Sequence, residues 1–189
     1  DVELTVCNRS PGLFASFERD GAKATTNPAD MAGCDIVFLC LPGDGAVKGM
    51  LLGKDGLVSR MREGSVVVDC GTVSFAATKE IAAACAARGV GFIDAPVSGM
   101  EARAKDGTLS IMAGGDAATR DPVMPFLGRM GNKILHVGGP GSGQLTKLIN
   151  QLLFDANMAV LAEVLPMAVK MGLDPEKTGE IVNSGTGRS

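Results

Sequence analysis

Apolar residues recur along this chain in two alternating rhythms. Short runs at residues 2–7, 35–41, 65–70, 91–94, 109–113 and 133–137 are continuous or strictly alternating, as strands in a covered sheet are. Between them lie stretches of helical character. One opens at Ser10-Pro11, passes through Phe14, Phe17 and Glu18, and stops at Gly21. Another spans one or two turns at 47–52. An Ala-rich helix covers 75–88 with Gly89 as its stop, and residues 117–130 contain a further helix. Strands alternating with helices predict a doubly wound α/β fold, a parallel sheet covered on both faces. Ligands of such sheets bind beyond the carboxyl ends of the strands. The segments to watch are therefore Asn8-Arg9-Ser10, Leu41-Pro42, Gly71-Thr72 and Pro96-Val97-Ser98-Gly99.

After the glycine run at 138–143 the rhythm changes. Residues 142–171 read as one long helix, apolar on most faces and kinked by Pro166. Gly172 ends it, and Asp174-Pro175 opens another helix. The predicted organisation is an α/β domain over 1–139 and the start of an all-α domain over 140–189. The chain opens at Asp1 within a strand-like run and ends without a stop signal, which reads as a cut at both ends. A helix this apolar needs cover from other helices or another subunit, so a homodimer or homotetramer is expected.

Composition narrows the chemistry. A net charge of -3 with interspersed signs gives no basic footprint for nucleic acid or for a membrane surface. No signal peptide is recognisable, and no apolar run long enough to span a bilayer is expected. The five cysteines (7, 34, 40, 70 and 85) lack Cys-x-x-Cys spacing and sit mostly in apolar runs. They read as buried free thiols of a reducing, cytoplasmic protein. His136 is the single histidine, at the end of a strand, so neither a metal cluster nor a Ser-His-Asp triad is expected. Asp69 and Asp94 read as strand-end or capping carboxylates without a catalytic role.

A dinucleotide fold carries Gly-x-Gly-x-x-Gly after its first strand. This chain has none; the run 138–143 has the wrong spacing. If residues 2–6 form the second strand, that loop lies upstream of residue 1. The position after that strand distinguishes cofactors: a carboxylate there bonds the NAD ribose, whereas arginine meets the 2′-phosphate of NADP. Asn8-Arg9-Ser10 contains no carboxylate, which favours NADP over NAD. The plainer reading of Arg9 is a solvated loop residue. The same tripeptide is a glycosylation sequon, with nothing else to suggest secretion.

Three motifs give these observations a family. Asp94-Ala95-Pro96-Val97-Ser98-Gly99, Asp106-Gly107-Thr108-Leu109 and Met112-Ala113-Gly114-Gly115 resemble the substrate-binding signature of the β-hydroxyacid dehydrogenases. Gly141-Ser142-Gly143-Gln144 followed by Lys147-Leu148-Ile149-Asn150-Gln151 resembles the catalytic segment of that family. The resemblance runs the length of the chain. It implies a Rossmann-like domain followed by a helical one, NAD or NADP as cofactor, and reversible oxidation of a short hydroxy carboxylic acid. It also implies Lys147 as the catalytic lysine, with Asn150 and Gln151 as the amides beside it. By the same resemblance Ser98 and Gly99 hold the substrate carboxylate, Thr72 lies near nicotinamide and substrate, and Leu41 and Pro42 lie along the cofactor. Met100 and Arg103 depart from the family's glycines in the substrate loop, and Gln151 replaces the Asn of several branches.

The chemistry suits the residues. An alcohol losing hydride must also lose a proton, which a lysine of lowered pKa can accept. Lys147, Asn150 and Gln151 share one helix face at i, i+3 and i+4; a solvated polar stripe is the bland alternative. Ser98-Gly99 suits an anion, but Ser-Gly is also ordinary turn chemistry. Against the enzyme stands a second reading, a catalytically silent dinucleotide-binding or oligomerisation module. Retention of Lys147 argues against that, and against an imine reductase of the same fold.

Overall fold

The computed structural model describes residues 2–188. The chain divides into two compact units, one ending at Lys147 and one beginning at Leu148. The division falls inside the long helix rather than at the glycine run before it.

The first unit is a Rossmann-like α/β domain. The strands β1 (Thr5–Cys7) and β2 (Lys23–Thr25) pair in parallel, joined by α1 (Phe14–Arg19). A 3-10 segment at Pro28–Gly33 leads to β3 (Ile36–Leu39). Next come α2 (Gly43–Leu52), β4 (Val66–Asp69), α3 (Phe75–Ala86) and β5 (Gly91–Asp94). Strands β3, β4 and β5 are parallel neighbours, as the apolar runs predict. Their side chains alternate between two cores. Val37, Leu39 and Val67 pack with Val47, Leu51 and Ile81 on one face, and Val66, Val68 and Ile93 with Val123 and Leu127 on the other. Each fully buried Leu, Ile or Val contributes on the order of 1.5–3 kcal/mol.

Three features differ from the simple parallel sheet. Strand β6 (Val97–Ser98) continues the line of β5, and both meet β7 (Leu109–Gly114) antiparallel in one register, Asp94 opposite Gly114 and Ser98 opposite Ser110. This is a hairpin closed by α4 (Met100–Lys105), and β8 (Gly131–Gly138) pairs in parallel with the other edge of β7. Residues 117–130 form two helices, α5 (Ala117–Arg120) and α6 (Met124–Met130). The pair β1–β2 stands apart from the six-stranded sheet, with a cavity of about 910 Å³ between it and β3.

The cysteines are all free, but only Cys70 and Cys85 are buried; Cys40 is exposed. Their apolar neighbours mark strands, and Cys40 follows the last paired residue of one. His136 keeps the expected structural place, its Nε2 lying 2.8 Å from the Gly115 carbonyl.

Helix α7 (Ser142–Lys170) starts in the first unit and runs on into the second, followed by α8 (Pro175–Ser184). The Asp174 carboxylate caps α8 by accepting from the Glu176 and Lys177 amides, with Pro175 at its first position. One expectation is corrected here. By length and hydropathy α7 is long and apolar enough to cross a membrane. Scattered polar residues such as Asn150 and Asp155 interrupt the apolar run, yet the mean hydropathy along the helix reaches 1.6. Leu152, Leu153, Phe154, Met158 and Val160 are exposed along it.

The start of α7 is packed too tightly for a side chain at Gly143. A Cβ there would lie 2.3 Å from the Met112 carbonyl oxygen and 2.5 Å from that of Asp94, both backbone atoms of the sheet. We expect Gly143→Ala to cost about 2–3 kcal/mol and to lower Tm by roughly 5–10 °C in thermal denaturation. Gly128, in α6 with open space around it, provides the control. There alanine is expected to be neutral or stabilising by up to about 1 kcal/mol.

Candidate active site

The carboxyl ends of β3, β4 and β5 converge on the first turns of α7. Asp94, the last residue of β5, is fully buried. Its Oδ1 accepts from the Gly141 amide and its Oδ2 from the Gln144 amide, both at 2.8 Å. A carboxylate is thus set against unpaired N–H groups at the positive end of a helix dipole. Gly114 makes room for it, since a Cβ there would lie 2.6 Å from Asp94 Oδ1. Burial pushes the Asp94 carboxyl above its ordinary range, and the amides pull it partly back. Read from sequence as a strand-end or capping carboxylate, Asp94 proves to be both, and it anchors α7.

One helical turn carries the anchor to Lys147. This lysine is buried, at 8 % exposure. Among the described residues its amine makes no ion pair and no side-chain hydrogen bond. Burial without a carboxylate partner lowers its pKa from the ordinary 10.5. A buried lysine kept free of a partner carboxylate is suited to exchange a proton with a bound molecule.

The segment after β4 is held at both ends. The Gly71 amide donates to Asp69 Oδ1 at 3.0 Å. Ser74 caps α3 by accepting from the Ala77 amide, and its own amide and hydroxyl donate to Asp44 in the first turn of α2. These two donors hold the Asp44 carboxyl below its usual range. Between them the side chain of Gln144, fully buried, donates to the Gly71 carbonyl and accepts from the Val73 amide. Gly71 and Val73 are buried while Thr72 between them is exposed. Leu41 lies alongside: a Cβ on Gly71 would sit 2.9 Å from its carbonyl oxygen.

Of the residues singled out from sequence, Thr72 and Leu41 therefore share one neighbourhood, with Pro42 directly after Leu41, and Lys147 follows one helical turn after Gln144, which holds the backbone on both sides of Thr72. Ser98 and Gly99 lie on the continuation of β5 beyond Asp94. Gly99 has φ of +142°, and the aliphatic part of Arg103 occupies the space where a side chain would stand. Met100 takes a left-handed φ of +59° in place of a glycine and is exposed. Asn8, Arg9 and Ser10 follow β1 and are exposed, on the separate strand pair. Asn150 and Gln151 fall in the second unit, Asn150 exposed and Gln151 half-buried. The sequence reading gave Gln144 no task of its own. Its signals were its place in the Gly141–Gln144 motif and its position three residues before Lys147, on the same helix face.

Comparisons with known proteins bear on the fold and the family. Residues 1–138 match the family model described as the NAD binding domain of 6-phosphogluconate dehydrogenase. Residues 141–189 match that described as NAD-binding of NADP-dependent 3-hydroxyisobutyrate dehydrogenase. A 2-(hydroxymethyl)glutarate dehydrogenase from Eubacterium barkeri is 40% identical over 93% of this chain and 58% of its own length. A crystal structure of 3-hydroxyisobutyrate dehydrogenase from Salmonella typhimurium superimposes with a TM-score of 0.86 at 29% identity, covering 98% of this chain and 65% of that one. A structure of Psf3 in complex with NADP+ and 2-OPP superimposes at 0.90 with 28% identity, covering all of this chain and 67% of that one. The chain spans roughly 60% of the length of the curated relatives it matches.

Asp69 generates a prediction of its own. It is fully buried, one of its oxygens has no partner, and burial raises its pKa from 3.8 to about 6. The folded state therefore holds a proton that the unfolded chain has already released. Stability from this group is complete below about pH 4 and is lost as pH rises from there through about 6, by about 3 kcal/mol in all. Asp69→Asn removes the titration. Relative to the unsubstituted protein, its unfolding free energy is expected to improve by up to that amount between pH 4 and 7.5, read by urea denaturation. A pH-independent difference would show that Asp69 does not titrate in this range.

Proposed function

Because the chain belongs to the β-hydroxyacid dehydrogenase family, we propose that it serves an NAD(P)-dependent enzyme oxidising a short hydroxy carboxylic acid, or reducing the corresponding semialdehyde, with Lys147 as general acid/base. The observation that carries this reading is the buried lysine without an ion-pair partner, one turn into a helix anchored at the strand ends.

The strand-end loops fit a dinucleotide. The α2 N-terminus has no side-chain cap, and at Gly43 and Gly45 the space a side chain would fill is open. Arg9, Asn8 and Ser10 supply exposed donors after β1. When bound, the nicotinamide takes or gives the hydride. The protein's own share is to orient and to move a proton. Ser98 and the backbone of Gly99 would hold the substrate carboxylate, fixing the hydroxyl relative to the lysine. Thr72 would border nicotinamide and substrate, with Leu41 and Pro42 along the cofactor. Asn150 and Gln151 would orient the substrate beside the lysine. In oxidation the Lys147 amine takes the hydroxyl proton as hydride departs; in reduction its ammonium returns it.

Arg9 favours NADP, consistent with the match of residues 141–189 to a model of an NADP-dependent enzyme and with the NADP+ held by one structural neighbour. The exposed apolar residues of α7 support burial against a further helical segment or a second subunit, and so a homodimer or homotetramer rather than lipid.

Assays of the full-length protein on short hydroxy acids and semialdehydes, followed by nicotinamide absorbance, test the reading. Lys147→Ala should lower kcat at least 100-fold with little change in cofactor affinity. In the oxidative direction the rate should rise with pH, with a midpoint below the ordinary lysine value of about 10.4. Full activity in Lys147→Ala would remove the lysine from the chemistry. Arg9→Gln should reduce kcat/KM for NADP about 10-fold and leave that for NAD unchanged; equal effects would make Arg9 a surface residue. Light scattering should give a dimer or larger species, and a monomer would overturn the assembly.

A further inference from the structure

We propose that Gln144 is a positioning residue for hydride transfer: its carboxamide sets Thr72 against the helix turn that carries Lys147. The proposal rests on the dehydrogenase reading for its effect on rate, but its geometry is independent of that reading.

Gln144 is one of few polar side chains with no exposure at all. Its Nε2 donates to the Gly71 carbonyl at 2.8 Å, and its Oε1 accepts from the Val73 amide at 3.2 Å. One planar group therefore grips the backbone on both sides of Thr72. Its own backbone amide donates to Asp94 Oδ2, so the gripping residue is itself tied to the sheet. Lys147 follows three residues later, on the same face of the helix. The chain of contacts runs from the loop through Gln144 to the helix turn of the lysine without a flexible link.

A buried glutamine in a protein core costs stability unless every polar atom finds a partner, and an apolar residue of like volume would serve packing equally well. Here both carboxamide ends are spent on a three-residue loop whose neighbours already fasten it, through Gly71 to Asp69 and through Ser74 to Asp44. Those two bonds fix where the loop begins and ends. Gln144 fixes the two peptide groups flanking Thr72, and with them the direction in which the single exposed side chain of the segment is presented. Misplacement of a positioned group by about 1 Å costs on the order of 100-fold in rate.

The test uses Gln144→Met, which keeps volume and loses both bonds, and Gln144→Glu, which keeps the acceptor for Val73 and replaces the donor to Gly71. Hydrogen exchange of the Val73 amide should accelerate at least 10-fold in Gln144→Met in the absence of any ligand, with exchange in β4 unchanged. In the assay, kcat of the folded variants should fall 10- to 100-fold, while KM for the hydroxy acid and the dissociation constant of the cofactor change less than 3-fold. Thr72→Ala should cost clearly less in the Gln144→Met background than alone, because the two act as one unit. A merely structural glutamine would lower Tm with kcat per folded molecule unchanged and with additive effects, which would overturn the proposal. So would unaltered exchange at Val73. A full-length protein inactive on every substrate would sink the dehydrogenase reading instead, and the exchange measurement would still decide whether Gln144 holds the loop.

Discussion

The structure depends on one carboxylate inside a protein. Asp94 is taken wholly out of water at the end of a central strand, and what makes this tolerable is the start of α7, whose amides have no partners of their own. Each side resolves the other's deficit. The result is directional: the helix must begin where the strand ends. Two glycines are explained by this one approach. Gly114 gives the carboxylate space and Gly143 lets the helix backbone reach the sheet. Everything placed on the first turns of α7, Gln144 and Lys147 included, inherits its position from that contact.

The same contact explains how the fold tolerates a buried lysine with no carboxylate partner. Its helix turn is held from below by hydrogen bonds to backbone and to Asp94, so Lys147 is not needed as a structural ion pair. Asp69, next to Asp94 in the sheet register, completes a polar layer beneath the strand ends. Burial holds both carboxyls above their usual range, so on acidification this layer takes up protons before ordinary aspartates do.

Much of this was legible in the sequence. The apolar runs mark β3, β4, β5 and β7, because a strand with little exposed surface has no polar face to disguise it; β8 stands out as well, through Ile134, Leu135 and Val137, although half of its residues are exposed. Elements shorter than that pattern escape. Strand β6 is two residues long, α4 starts from a left-handed Met100, and β2 lies in a polar stretch. The motif carrying Lys147 was visible, and so was Thr72. The partners of Asp94 and the task of Gln144 were not, because a periodicity does not tell which distant amide a buried oxygen will meet. His136 and the cap at Asp174 are bonded locally, and local bonding is what sequence spacing reports.

The separate strand pair has a consequence for handling. With a cavity between the strand pair and β3, Ile36–Leu39 is the last strand of the six-stranded sheet on that side, its outer edge paired with no strand among the described residues. Such rims recruit extended polypeptide of any origin. Preparations in which nothing fills that slot should be prone to clump through it, and solubility would then report whether the slot is filled before any assay reports activity.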